Sequence, residues 1–210
     1  MFEENIEILR ETLRLNSAVA LDSAAKALGS APRIVFFSIG LSYPVAFSIY
    51  ARLRFIGLPA AIESDSHLQL AAAAEMKRGD VAMGISLSGS TRETVECLRL
   101  SKERGAKTIC ITNSINSPLA RSADIRLYAA PSEVKYFQAP LASRVTQLAL
   151  ADALLVIMGL RRKRKALAHW DRAEEHLLKR RIDGFGSLER PTGNQRMRRA
   201  ERSAALSQRG

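Results

Sequence analysis

Between Arg33 and Leu160 the chain keeps alternating short apolar runs of strand length with stretches whose apolar residues recur every three to four positions. The runs are Arg33 to Ile39, Ala60 to Glu63, Val81 to Ser86, Lys107 to Thr112 and Ile125 to Ala129. The helical stretches run from the Gly40–Pro44 turn to Phe55, from Ser66 to Lys77, from Thr94 to Glu103, and from Ala139 to Leu160. Strands that are apolar along their whole length are covered on both faces, and strand–helix alternation makes their sheet parallel. The expected fold is therefore α/β: a three-layer α/β/α sandwich of the flavodoxin-like kind, with a five-stranded parallel sheet. Ligands of such folds bind beyond the carboxyl ends of the strands.

The flanks differ from this centre. Residues 3–28 carry Ile6, Leu9 and Leu13 at helical spacing and read as one helix, so residues 1–30 form an N-terminal connecting segment ahead of a 31–160 domain. The last fifty residues hold 15 of the 32 basic side chains but only 6 of the 21 acidic ones, which places most of the +11 net charge there. Residues 161–183 begin with Arg161-Arg162-Lys163-Arg164-Lys165 and continue as a basic amphipathic helix; residues 184–210 have no periodicity and read as a disordered basic tail. No apolar run approaches the roughly 18–20 residues of a membrane span, and the acidic start Met1-Phe2-Glu3-Glu4-Asn5 is unlike a signal peptide. A cytoplasmic protein without membrane contact is expected. Cys97 and Cys110, the two cysteines, have no companions at metal-ligand spacing and read as buried reduced thiols; no metal and no cofactor are called for.

The chemistry concentrates at Ile85-Ser86-Leu87-Ser88-Gly89-Ser90-Thr91-Arg92-Glu93, where a strand ends and a helix begins. Free backbone N–H groups and the positive end of the helix dipole point out of such a turn, hydroxyls add donors, and the combination receives an anion, most often a phosphate. No lysine lies in the turn, so it is not a Walker-type nucleotide loop. The same residues also read as an ordinary helix start capped by Ser88 or Ser90. A second turn, Gly40 to Ser42, falls at another strand end.

These pieces, in order, resemble a SIS (sugar isomerase) domain, and in particular the effector domain of RpiR-type transcriptional regulators. They are Ser38-Ile39-Gly40-Leu41-Ser42, Gly79-Asp80-Val81, the Ile85–Glu93 turn, Gly105-Ala106, Ile111-Thr112-Asn113, Ser117-Pro118-Leu119-Ala120, Ala123-Asp124 and Ser143-Arg144-Val145-Thr146-Gln147-Leu148. The resemblance covers roughly residues 5–182. It implies a pocket for a sugar phosphate or phosphorylated sugar acid, with Ser86, Ser88, Gly89, Ser90 and Thr91 at the phosphate and Gly40 and Ser42 closing the other side. Three or four charge-assisted hydrogen bonds of about 1.5–3 kcal/mol each make micromolar binding attainable. The resemblance also implies a homodimer or tetramer, to which the apolar circumference of the helix from Leu141 to Leu160 would contribute.

An enzyme of this superfamily, an aldose–ketose sugar-phosphate isomerase, would move a proton with His67 or Glu133. Here His67-Leu68-Gln69 stands where some of those isomerases have His-Gly-Asp, so His67 reads as a polar or capping residue at a helix start or as a ligand contact, with Glu133 and Arg144 as further candidate contacts. RpiR-type regulators carry a helix-turn-helix domain ahead of the SIS domain, and the 28 residues before Gly29 are too few for one. DNA contact is expected only through a domain this sequence does not hold, or weakly and nonspecifically through residues 161–210. The sequence-based conclusion is a phosphosugar-sensing regulatory domain, with the isomerase and a nonspecific nucleic-acid binder as alternatives.

Overall fold

The computed structural model describes residues 2–131, 141–161 and 163–178. The apolar runs become β1 (Ile34–Phe37), β2 (Ala60–Ile62), β3 (Val81–Ile85), β4 (Lys107–Thr112) and β5 (Ile125–Tyr128). They pair in parallel in the order β2-β1-β3-β4-β5. The register puts Phe36 beside Met83 and Met83 beside Ile109, and neighbours in register project to the same face. Ile34, Phe36, Met83, Ile85, Ile109, Ile111 and Leu127 thus meet on one face, under α2 (Ala18–Ser30), α3 (Tyr43–Phe55) and α7 (Leu141–Arg161). Val35, Phe37, Ala82 and Cys110 meet on the other, under α4 (Ser66–Ala74), α5 (Arg92–Glu103) and α6 (Pro118–Ser122). Each fully buried Leu or Ile in these layers contributes about 1.5–3 kcal/mol. The three-layer sandwich expected from the alternation is present.

The N-terminal helix is a pair instead. The stretch read as one helix over 3–28 is α1 (Phe2–Leu15) and α2, broken at Asn16-Ser17. Ser17 caps α2 by accepting the Ala20 N–H, and Asn16 has a better use than a place in a helix. Tyr128 turns its peptide groups to the open side of β5, because the Ala129 N–H already bonds Thr112 on the other side. The Asn16 side chain meets them like a neighbouring strand: Oδ1 accepts the Tyr128 N–H at 2.9 Å and Nδ2 donates to the Tyr128 carbonyl at 2.7 Å. Thr12 Oγ1 accepts the Ala130 N–H at 3.0 Å. A helix is thereby docked on a sheet edge that would otherwise expose unpaired backbone.

The apolar circumference of α7 is explained mostly within the chain. Leu150, Ala151, Leu154 and Met158 are buried against α2 and α3, α1 packs alongside, and Val156 and Leu160 stay exposed. After α7 comes α8 (Lys163–Leu178), whose Trp170 ring lies 5.5 Å from that of Phe55. His169, though exposed, packs over Gly57, where a β-carbon would come within 2.5 Å of its ring. The expected disorder of 184–210 lies outside the described residues. Among those residues no helix is long and apolar enough to cross a membrane.

Candidate functional site

In this strand order β1 and β3 are neighbours whose chains leave in opposite directions. β1 leads to α3 on one face and β3 leads to α5 on the other, so a crevice opens between their carboxyl ends. Ser38, just past β1 and fully buried, ties the two strands by donating from Oγ to the Ile85 carbonyl at 2.9 Å. The chain then makes a short 3-10 turn, Gly40–Ser42, which Gly40 enters at φ +60°. Ser42 is half-buried and makes no cap bond to α3, so its hydroxyl remains available at the crevice.

The turn after β3 is built by its own hydroxyls. Ser86 is buried, its Oγ accepts the Gly89 N–H at 3.1 Å, and it lies 2.9 Å from Thr91 Oγ1. Ser86 and Thr91 bring two hydroxyl protons to that shared contact and use one; the other is free, and Thr91 is the partner that reaches the surface. Ser88 Oγ accepts the Ser90 N–H at 3.2 Å, and both side chains are exposed. Gly89 sits at φ +64° with Ser117 and Thr112 packed on it; a β-carbon would approach Ser117 Oγ to 2.2 Å and Thr112 Oγ1 to 2.7 Å. Its carbonyl accepts the Leu119 N–H at 3.0 Å, and the Leu87 carbonyl accepts the Asn113 N–H at 3.0 Å. The turn is fastened from below and from the side.

The reading of Ser88 or Ser90 as an ordinary cap does not hold. Thr91 occupies the cap position of α5 and makes no side-chain cap bond, because its hydroxyl is held by Ser86. The first N–H groups of α5 are left without that partner and face the crevice beside Ser88 and Thr91. One turn in, Thr94 is fully buried with no partner for Oγ1 among the described residues. Ser86, expected to touch the phosphate, also shapes the turn. Ser88, Ser90, Thr91 and Ser42 are the hydroxyls the crevice presents.

His67 lies in the first turn of α4, after β2 and thus on the same edge, with its side chain exposed. The cap of α4 is Asp65, whose Oδ1 accepts the His67 N–H at 2.9 Å and the Leu68 N–H at 3.0 Å. Arg144 is half-buried near the start of α7, and Glu133 lies outside the described residues. Gln69, Asn113 and Gln147 had no assigned role from sequence. Gln69 is buried and bonds Ser38 and Glu63. Asn113 receives a bond from Gln147 at 3.1 Å and donates to the Ala130 carbonyl at 3.0 Å, joining the turn to α7 and to the end of β5. The polar Asn113 directly after an apolar strand was the one available signal for this role.

Neither cysteine is prepared as a nucleophile. Burial, followed by the carboxylates of Glu96 and Glu93, pushes the Cys97 thiol up to about 11, and burial pushes Cys110 up to about 12. No group of metal-ligating side chains occurs among the described residues. A separate surface groove of about 470 Å³ lies between α5 and α6, lined by Arg99, Lys102, Arg121 and Glu103. It is toward the amino ends of the strands, where Ser122 accepts from Thr108, and is distinct from the crevice.

Comparison with known proteins agrees with this fold. The SIS domain family profile matches residues 27–157. An uncharacterized HTH-type transcriptional regulator of Caldanaerobacter subterraneus is 35% identical over 179 residues, covering 85% of this chain and 64% of the relative. The chain thus spans a little under two thirds of that curated relative. The Vibrio vulnificus NanR protein complexed with ManNAc-6P superposes with a TM-score of 0.80 at 25% identity, over 86% of this chain and 68% of that one. The sugar isomerase domain of an RpiR transcription factor from Sphaerobacter thermophilus gives 0.76 at 28% identity, over 83% and 96%. The chain belongs to the SIS domain family, and its relatives include an HTH-type transcriptional regulator and an RpiR transcription factor.

Proposed function

We propose that this chain is the phosphosugar-binding regulatory domain of an RpiR-type transcriptional regulator. The observation that carries the reading is the start of α5: its cap hydroxyl is diverted to Ser86, so backbone N–H groups and the Ser88 and Thr91 hydroxyls are left for an anion. A phosphate seated there places the attached sugar across the crevice toward Ser42 and His67. Gly40 lets the backbone of its turn approach the ligand, Gly89 seats the phosphate turn on Ser117 and Thr112, and Arg144 and Glu133 complete the set of proposed contacts. The NanR relative, solved with ManNAc-6P, supports a phosphorylated amino sugar as the first ligand to test.

In this reading ligand binding joins the Gly40–Ser42 turn to the Ser86–Thr91 turn and favours one of two arrangements of a homodimer. A helix-turn-helix domain makes the DNA contact. Thermal melting against a panel of sugar phosphates, ManNAc-6P and inorganic phosphate included, tests the site. A ligand that binds the folded state raises Tm with its concentration. The expected result is a shift lost in Ser88→Ala and Thr91→Val, with no chemical change of the ligand on incubation. Conversion between aldose and ketose forms would make the domain an isomerase, and a flat panel would overturn the site.

A further inference from the structure

Gln69 marks the departure of this chain from the isomerase pattern, and its placement gives that departure a purpose. It is 1% exposed although it lies only two residues beyond the exposed His67. Its amide nitrogen donates to the Ser38 and Glu63 carbonyls, each at 2.9 Å, and its oxygen accepts the Ser38 N–H at 3.1 Å. Ser38 is the last buried residue before the Gly40–Ser42 turn, and Glu63 directly follows β2. Ser38 also bonds Ile85 at the end of β3. One side chain therefore fastens the exits of β1 and β2 to the first turn of α4, and through Ser38 to the strand that carries the phosphate turn.

The consequence is spatial. β2 and β3 flank β1, so the start of α4 stands two strand spacings, roughly 10 Å, from the Ser86–Thr91 turn. An anion alone spans only the turn. A phosphorylated sugar must also meet what stands at the far side, where Gln69 fixes the first turn of α4 with His67 and the approach to Ser42. A carboxylate in place of this amide would have no donors for the two carbonyls. We infer that Gln69 is a positioning residue that sets the sugar-recognising end of the crevice relative to its phosphate end, and so governs selectivity for the sugar without touching the phosphate. This rests on the phosphosugar-binding reading above.

Titration calorimetry on wild type, Gln69→Met and Gln69→Glu tests it, well below the melting temperature of each. The ligands are inorganic phosphate and ManNAc-6P, or the sugar phosphate with the largest melting shift if ManNAc-6P gives none. The methionine keeps the length and packing of the side chain and removes all three bonds. Expected are a tenfold or greater loss of sugar-phosphate affinity in both variants and phosphate affinity within twofold of wild type. Hydrogen exchange without ligand should quicken at 38–42 and 63–68 and stay unchanged at 86–91. Sugar-phosphate affinity that is unchanged, or that falls in step with phosphate affinity, would overturn the positioning role. Wild-type protein that binds no ligand overturns the site reading itself; unchanged exchange at 38–42 then also removes Gln69 as the fastener.

Discussion

The two ends of the sheet use similar polar residues to opposite effect. At the amino ends of β4 and β5, Asp124 Oδ2 accepts the Thr108 N–H and Thr108 Oγ1 accepts the Asp124 N–H, each at 3.0 Å. Lys102 reaches the same carboxylate at 2.9 Å and Lys107 at 3.7 Å, while the Asp80 carbonyl receives the Lys107 N–H at 2.9 Å. Donors and acceptors there are largely spent on one another. At the carboxyl ends the hydroxyls of Ser86 and Thr91 also bond each other, but the bond withholds a cap from α5 and leaves donors facing outward. A polar cluster that closes on itself holds the fold; one that ends with surplus donors is fit to receive an anion.

The sharpest way to break this contrast is Gly89→Ala. The left-handed backbone is strained for alanine, and the new β-carbon would drive into Ser117 and Thr112. About 2–4 kcal/mol of stability should be lost in urea denaturation, together with ligand-dependent melting shifts. Gly40→Ala is the control. Its φ is nearly the same, but a β-carbon there meets nothing within 4 Å, so only about 1–2 kcal/mol should go. Equal losses at the two positions would mean that Ser117 and Thr112 do not shape the turn.

Next in size is the amino end. Burial by itself raises the Asp124 carboxyl, but Lys102, the Thr108 N–H and Lys107 together outweigh it and hold the group below its ordinary value. A depressed folded-state pKa gives stability that is present above the unfolded value, near pH 4, and lost as pH falls through the folded one. Asp124→Asn keeps an acceptor for Thr108 and loses the charge. It should cost about 1 kcal/mol at pH 7, and the gap to wild type in urea midpoints should shrink as pH falls below about 4. A gap that stays constant as the pH is lowered would assign the effect to packing. Ligand binding at the opposite end should not move.

How much of this was legible follows from what each residue's neighbours are. The strands, the layer order and the turn at Ser86–Thr91 rest on local signals: apolar runs, helical spacing and hydroxyls at a strand end. Asn16 and Gln69 were not legible, because each acts on backbone far away in the sequence or across a loop, and a polar residue in a helical stretch carries no mark of its distant partner. For Ser86 the hydroxyl at a strand end was legible and its partners within the turn were not. The sequence places a hydroxyl there but does not reveal that Gly89 and Thr91 occupy it.

A smaller effect separates building the turn from serving it. Thr91→Val removes the hydroxyl that shares the proton with Ser86 and reaches the surface, while Ser88→Ala removes an exposed one. Each should weaken sugar-phosphate and inorganic phosphate binding alike, about tenfold, and change unfolding free energy by less than 1 kcal/mol. Variants that lose stability and keep affinity would place these hydroxyls with the self-closing cluster at the other end.

The smallest effect is electrostatic. Arg92 is the first residue of α5, exposed, and has no ion-pair partner among the described residues. A cation at a helix start opposes the dipole by about 0.3–1 kcal/mol, and Glu93 beside it offsets part of that. A bound dianion reverses the sign, because the same charge then attracts the ligand. Arg92→Ala should therefore leave the ligand-free protein as stable or slightly more so, yet weaken phosphate binding about threefold at low salt. Raising the salt to 0.5 M shortens the screening length to about 4 Å and should erase the difference. Equal affinities of Arg92→Ala and wild type at low salt would show that the anion is held by hydrogen bonds alone, with Arg92 turned to solvent in the complex as well.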